Sequence, residues 1–256
     1  MPTAPAVAAA EAPPPAQGPS GAEPSGGGDE QVAMTVPQAP VTAPPKPSAA
    51  DSFAGVVRFL QTHDDGGCFV AMPSTRPGGL LGLDGFTDDG ARLTRFVRDF
   101  ETATSVAANP SSAVVSPAQC RALAFARTLP RYPKFSLRFA LERRDLGNGE
   151  ALSGTILNSA DRPIHLLVVD DEGKVQSLDR HVVRSASGVS FAAPMTLTAG
   201  PVATVQLLVA LSGDKPFETL DALNGKAADA FFDALTEEIA ARGIATDLAI
   251  ASFSVR

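Results

Sequence analysis

Cations are missing from the start of the chain: no lysine or arginine precedes Lys46. No continuous apolar stretch follows Met1 either, so the N-terminus does not read as a secretory signal. Long hydrophobic runs are also lacking. The longest apolar stretch, 202–211 (VATVQLLVAL), is strand-sized and well short of the roughly 18 residues a membrane helix needs, so the sequence contains no transmembrane segment. Clustered positive charge is absent. Net charge is −7, and no basic run exceeds the pair Arg143-Arg144, which excludes the cation stripe that phosphate backbones require and with it nucleic acid as a partner. Histidine occurs three times and cysteine twice, with no CxxC or HxxxH spacing, so no metal centre and no cofactor are expected.

What is abundant at the start is Pro, Ala and Gly, which fill thirty of the first fifty positions. Such a segment buries too little apolar surface to offset its ordering entropy, so residues 1–50 read as a disordered linker, partly polyproline II. Two arrangements remain open. Either this linker hangs free, or it joins the rest to a signal, membrane anchor or further domain upstream of Met1.

Residues 51–130 read as an α/β unit. Phe53, Val56, Val57 and Leu60 recur at helical spacing behind Asp51 or Ser52 as N-cap. CFVAMP and LLGLDGF read as a strand pair across STRPGG, and Leu93, Phe96, Val97 and Phe100 mark a second helix behind Asp88 or Asp89. SAVVS is a third strand. Ser116-Pro117-Ala118-Gln119 then combines Ser at N-cap, Pro at N1 and Gln at N3, a capping box that opens a third helix with Cys120, Leu123 and Ala124 on one side. The order is αββαβα.

Residues 134–256 read as a β-rich unit. Phe135, Leu137, Phe139 and Leu141 alternate with polar neighbours, so one face is wet. Strands over ALSGTILN, PIHLLVV–KVQSL, GVSFAAPMTL and VATVQLLVALS follow, and their spacing suggests an antiparallel sandwich or barrel. A late helix with Phe231, Ala234, Leu235 and Ile239 as its stripe ends at Gly243, and TDLAIASFSV is a final strand. The fold class is therefore α+β: an αββαβα unit, then an antiparallel β-sandwich-like unit with a late helix and a closing strand.

The stretch HDDGGC (63–68) brings together a histidine, two carboxylates and a cysteine. A nucleophilic cysteine needs a base in reach, but Asp64 and Asp65 would raise the thiol pKa, and nothing local fixes His63 against Cys68. A helix end, a tight turn and a buried Cys68 account for more of the pattern. His63 then sits at an exposed helix end. His165 and His181 both lie in the strand unit, and His165, within IHLLVV, reads as a satisfied sheet histidine. DLGNGE (145–150) and DDEGK (170–174) match no calcium loop and read as turns; GGLLGLDG lacks a Walker lysine; GDKPF (213–217) is a polar loop. No catalytic, cofactor-binding or metal-binding residue is assigned. The two cysteines admit one pairing, Cys68–Cys120, which implies an oxidising compartment; two buried reduced thiols are the alternative.

Two resemblances rest on these residues. By its αββαβ order, with GLDG echoing a Gly-Val signature, the first unit resembles a BON (bacterial osmolarity and nodulation) domain. CFVAMP…GLDGF…QCRAL followed by LSGTILN…IHLLVVDDEGKVQSL…LLVALSGDKPFETL is similar to the uncharacterised C-terminal regions of alphaproteobacterial serine/threonine kinases and caspase-like proteins, over about residues 53–220. There the region follows a membrane helix and a Pro-rich linker. No Gly-rich loop, HRD or DFG is present, and no family catalytic residue lies in this region. The resemblance implies a non-catalytic, periplasmic or other extracytoplasmic sensory or protein-interaction module of a membrane signalling system, with an unidentified protein or envelope ligand as partner. The alternative is a BON-type envelope protein associating with phospholipid or peptidoglycan. An enzyme using Cys68 and His63 ranks third.

Overall fold

A computed structural model describes residues 49–256 except 65, 76–80, 108–109, 135, 160–161, 186–187 and 197–202; the linker expected over the first fifty residues lies almost wholly outside the described residues. Lys46–Arg256 forms one compact unit. It is a mixed α+β fold, with three sheets among the described residues.

The first sheet has strand order β1-β2-β3, with β1 Phe69–Thr75 antiparallel to β2 Leu81–Thr87, and β2 parallel to β3 Pro110–Val114. The pleat of β1 sends alternate residues to opposite faces. Phe69 and Ala71 face helices α1 (Ala49–Thr62) and α2 (Gly90–Thr104), closing a core with Val56, Leu60, Leu83, Phe96 and Phe100. The Asp89 side chain accepts the Ala91 N–H at 2.8 Å as the N-cap of α2, and Ser105 ends that helix in the left-handed region. Of the expected α1 stripe, Phe53 is exposed, while Val56 and Leu60 are buried.

Val70 and Met72 point the other way, toward helix α3 (Cys120–Thr128). The helix buries Ala122, Leu123, Phe125 and Ala126. The stripe thus runs one position off the expected Cys120–Leu123–Ala124 set, because α3 is covered on two sides and its opening residues form a 3₁₀ turn, Pro117–Gln119. Phe125 meets Phe232 of α5 (Ala228–Arg242) with ring centroids 5.1 Å apart. Gly243 ends α5 at φ 59°, the left-handed C-cap expected there.

Beneath α3 and α5 lies a five-stranded sheet of order β5-β12-β11-β7-β8. Its strands are β5 Asp145–Leu146, β7 Ile164–Val169, β8 Val175–Ser177, β11 Thr204–Gly213 and β12 Thr246–Val255. Leu167, Val169, Leu207, Val209, Leu211, Leu248 and Ile250 face the helices. Leu166, Val168, Leu208, Ala210, Ala249, Ala251 and Phe253 face a four-stranded sheet of order β4-β6-β10-β9. That sheet comprises β4 Arg138–Leu141, β6 Ala151–Leu157, β9 Val182–Ser185 and β10 Gly188–Pro194, and returns Leu152, Ile156, Val189, Phe191 and Ala193. A strand buried on both faces must be apolar throughout, which is why β11 reads as a continuous run rather than an alternation. In β4, Phe139 and Leu141 are partly buried behind a buried Leu137; Phe135 lies outside the described residues.

One buried side chain ties the stretches before and after residue 130 together. Gln119 Oε1 accepts the Ser116 N–H at 3.0 Å, the expected capping contact, while its Nε2 donates to the carbonyls of Val169 and Val205, each at 3.0 Å. The side chain spends its donors on the ends of β7 and β11, where those strands part.

Candidate functional site

The HDDGGC stretch is a turn between α1 and β1. Asp64 Oδ1 accepts the Gly66 N–H at 3.1 Å and lies 3.6 Å from Arg127 Nη2; Arg127 also donates to the His63 carbonyl at 3.0 Å. Asp65 lies outside the described residues. His63 is not at an exposed helix end. Its ring stacks on Phe59 (5.0 Å) and meets Phe96 (5.1 Å) and Phe69 (5.8 Å) edge-on. The first core draws it in because α1 ends against the rim of the sheet. Cys68 Sγ and Cys120 Sγ lie at disulfide distance. Of the chemistry-bearing residues in this stretch, the structure joins Cys68 to Cys120 and sends His63 into the aromatic cluster.

The acidic groupings later in the chain are occupied by backbone. Glu150 accepts the Gly147 N–H at 2.8 Å, and that bond, with help from Arg143, holds its carboxyl below the ordinary value. Asp170 Oδ1 accepts the Lys174 N–H at 2.7 Å, closing the β7–β8 hairpin through Gly173 at φ 80°. A Cβ on Gly173 would stand 2.7 Å from the Ala118 carbonyl, so this turn presses on the 3₁₀ turn that carries Gln119.

Beside that hairpin lies an open polar cleft of about 400 Å³, lined by Lys174, Gln176, Ser177, Arg180, Asp221, Asn224 and Gly225. One wall is β8. Its outer edge would otherwise be bare, but the loop after α4 (Thr219–Ala222) covers it. The Val175 N–H donates to Lys226 O at 2.9 Å, the Gly225 N–H to Val175 O at 2.7 Å, and the Ser177 N–H to Asn224 Oδ1 at 2.8 Å. The other wall is the 3₁₀ turn Asp179–His181, which carries Arg180. Asp179 fixes that turn. Its Oδ1 accepts the Leu166 N–H at 2.6 Å, and its Oδ2 lies 2.7 Å from His165 Nδ1. His165 in turn lies edge-on to Phe217 at 5.8 Å. The carboxylate–imidazole pair therefore braces a loop. Ser177 Oγ accepts the Asp179 N–H at 3.2 Å. His165 is thus a partnered sheet histidine, as its place in IHLLVV suggests.

Two cations, one carboxylate and neutral hydrogen-bonding groups line the cleft. Sequence reading did not find it. Its lining comes from residues 174–180 and 221–225, and DDEGK drew notice only for its acids. Phe217 was equally hidden. GDKPF looks like a polar loop, yet Phe217 is buried and supports His165.

No known protein family matches the chain, and neither a curated protein nor a solved structure matches it. Among the described residues no helix is long and apolar enough to cross a membrane, a finding silent on β-barrels.

Proposed function

We propose that the chain is a non-catalytic extracytoplasmic module of a membrane signalling system, sensory or protein-binding, and that it takes an anionic group of its partner in the cleft around Lys174 and Arg180. The cleft carries this reading: two cations sit on braced backbone at the surface of a chain whose net charge is −7. The positions of the sequence's chemically active residues support it too. His63 is packed among phenylalanines, His165 holds Asp179, and the two sulfurs hold each other. The resemblance of residues 53–220 to the C-terminal regions of alphaproteobacterial kinases and caspase-like proteins supplies the cellular context. The second stretch is then an antiparallel β-sandwich, a reading supported by the core that its two sheets share.

Titration calorimetry of the purified chain against glutamate-rich and lysine-rich peptides of equal length tests the proposal. Heat with the acidic peptide alone, lost in the double variant Lys174→Gln, Arg180→Gln, is the expected result. Equal heats for the two peptides, or an unchanged heat in the variant, would refute it.

A second reading, an envelope protein of BON type, is favoured by the element order α-β-β-α-β over residues 49–114. It predicts co-sedimentation with anionic phospholipid vesicles or with peptidoglycan sacculi, unaffected by the cleft variant.

A further inference from the structure

Three segments of the chain converge at one end of the first sheet. Phe69 faces Thr87 as the last rung of the β1–β2 pair, so Cys68 and Asp88 lie just beyond the same end of that ladder. Thr87 faces Val114 of β3, from which the chain runs through the 3₁₀ turn to Cys120, the first residue of α3. The two sulfurs and a carboxylate oxygen of Asp88 all lie within 4.8 Å of one another. Cys68 is buried beneath, Cys120 is half-buried and Asp88 is exposed, so the group opens to solvent on one side.

We propose that the dithiol form of this group, Cys68, Cys120 and Asp88, is a binding site for a thiophilic divalent cation, Zn(II) foremost, and that the Cys68–Cys120 bond closes it. Two thiolates and one carboxylate supply three corners of a tetrahedron, and water completes the fourth. Sulfur donors select zinc-like ions over magnesium and calcium, which take oxygen. Two sulfurs on one tetrahedral ion stand about 3.8 Å apart, given bonds of roughly 2.3 Å. The two sulfurs must therefore part before they can hold one cation, which the broken bond permits. Arg92 Nη1 lies 3.1 Å from Asp88 Oδ1 and 3.3 Å from the Cys68 carbonyl, which pins the carboxylate at the mouth of the group. Asp89, the neighbouring acid, caps α2 and is not one of the donors.

Opening the site consumes a two-electron reductant of the dithiol class. Its two thiols become a disulfide, the Cys68–Cys120 bond breaks, and both cysteines leave as thiols. The cation then displaces their two protons to solvent. Bond and cation are mutually exclusive on the same sulfurs, so metal affinity reports the redox state of the pair. This inference is independent of the cleft.

The test uses the full chain, reduced with a phosphine, freed of reductant without oxygen, and titrated with Co(II). One Co(II) per chain is expected, with sulfur-to-cobalt charge-transfer absorption and tetrahedral visible bands that Zn(II) abolishes. The oxidised chain is expected to give neither. Asp88→Asn, which keeps both cysteines, is expected to weaken Co(II) binding about 10-fold or more, while Asp99→Asn on the outer side of α2 leaves it unchanged. Four results would each overturn the proposal: no charge-transfer band, equal affinity in Asp88→Asn, the same band in the oxidised chain, or loss of the far-ultraviolet circular dichroism on reduction, which would show that the donors are not held together.

Discussion

The imidazole of His63 lies stacked on the ring of Phe59, with centroids 5.0 Å apart and planes 26° from parallel. Phe69 and Phe96 close the same cluster from the sheet and from α2. His63→Ala therefore removes packing where α1, β1 and α2 meet. A loss of about 1–2 kcal/mol is expected, from aromatic contacts and a partly filled cavity. Urea denaturation checks it; a change below about 0.5 kcal/mol, the usual range for a surface substitution, would mean the ring contributes nothing.

Gln119→Leu keeps the volume and removes the amide. The carbonyls of Val169 and Val205 and the Ser116 N–H then lose their partners. Each buried group left unpaired costs about 1–3 kcal/mol, so a loss of about 3 kcal/mol or more is expected in a denaturant midpoint shift. Gln119→Ala should cost at least as much, since it adds a cavity.

Tyr132 is the chain's one tyrosine, and there is no tryptophan. Its hydroxyl donates to the Ala71 carbonyl at 2.9 Å and accepts the Ala71 N–H at 3.0 Å, extending the edge of β1. Burial raises its pKa above the ordinary 10.0, against smaller opposing effects of the Ala71 bond and Arg127. A phenol whose pKa is raised in the folded state contributes stability that is complete below pH 10.0 and lost as pH climbs through the folded value. Tyrosinate absorbance near 295 nm should therefore appear only above that point and together with unfolding. Titration of the folded chain at or below the ordinary value would contradict the buried geometry.

Gly173→Ala meets two obstacles at once: a φ of 80° and a Cβ 2.7 Å from the Ala118 carbonyl. A loss of about 2–4 kcal/mol is expected in thermal or urea unfolding. Ala118→Gly should recover little of it, since the close atom is main-chain oxygen.

These cases mark where sequence was informative. The mixed α+β character, the start of α2 at Asp88 or Asp89, the Gly243 cap, the late helix and the final strand were legible because each follows from local periodicity or a local cap. The capping half of Gln119 was legible for the same reason, since Ser116 is three residues away. Its other half was not, because the Val169 and Val205 carbonyls lie 50 and 86 residues on. His63 was misplaced because nothing in its own neighbourhood says that Phe96 folds over it. The cleft failed to show for a related reason: Asn224 and Asp221 join Lys174 and Arg180 only after the sheet exists.

The order of strands has a consequence for how the protein is made. β12 pairs with β11 over its full length, Thr204↔Val255 to Gly213↔Thr246, and stands between β5 and β11. The largest sheet therefore cannot close until residue 255 has left the ribosome. Until then the nascent chain presents β11 with one flank unpaired and α5 without Leu248 and Ile250 beneath it.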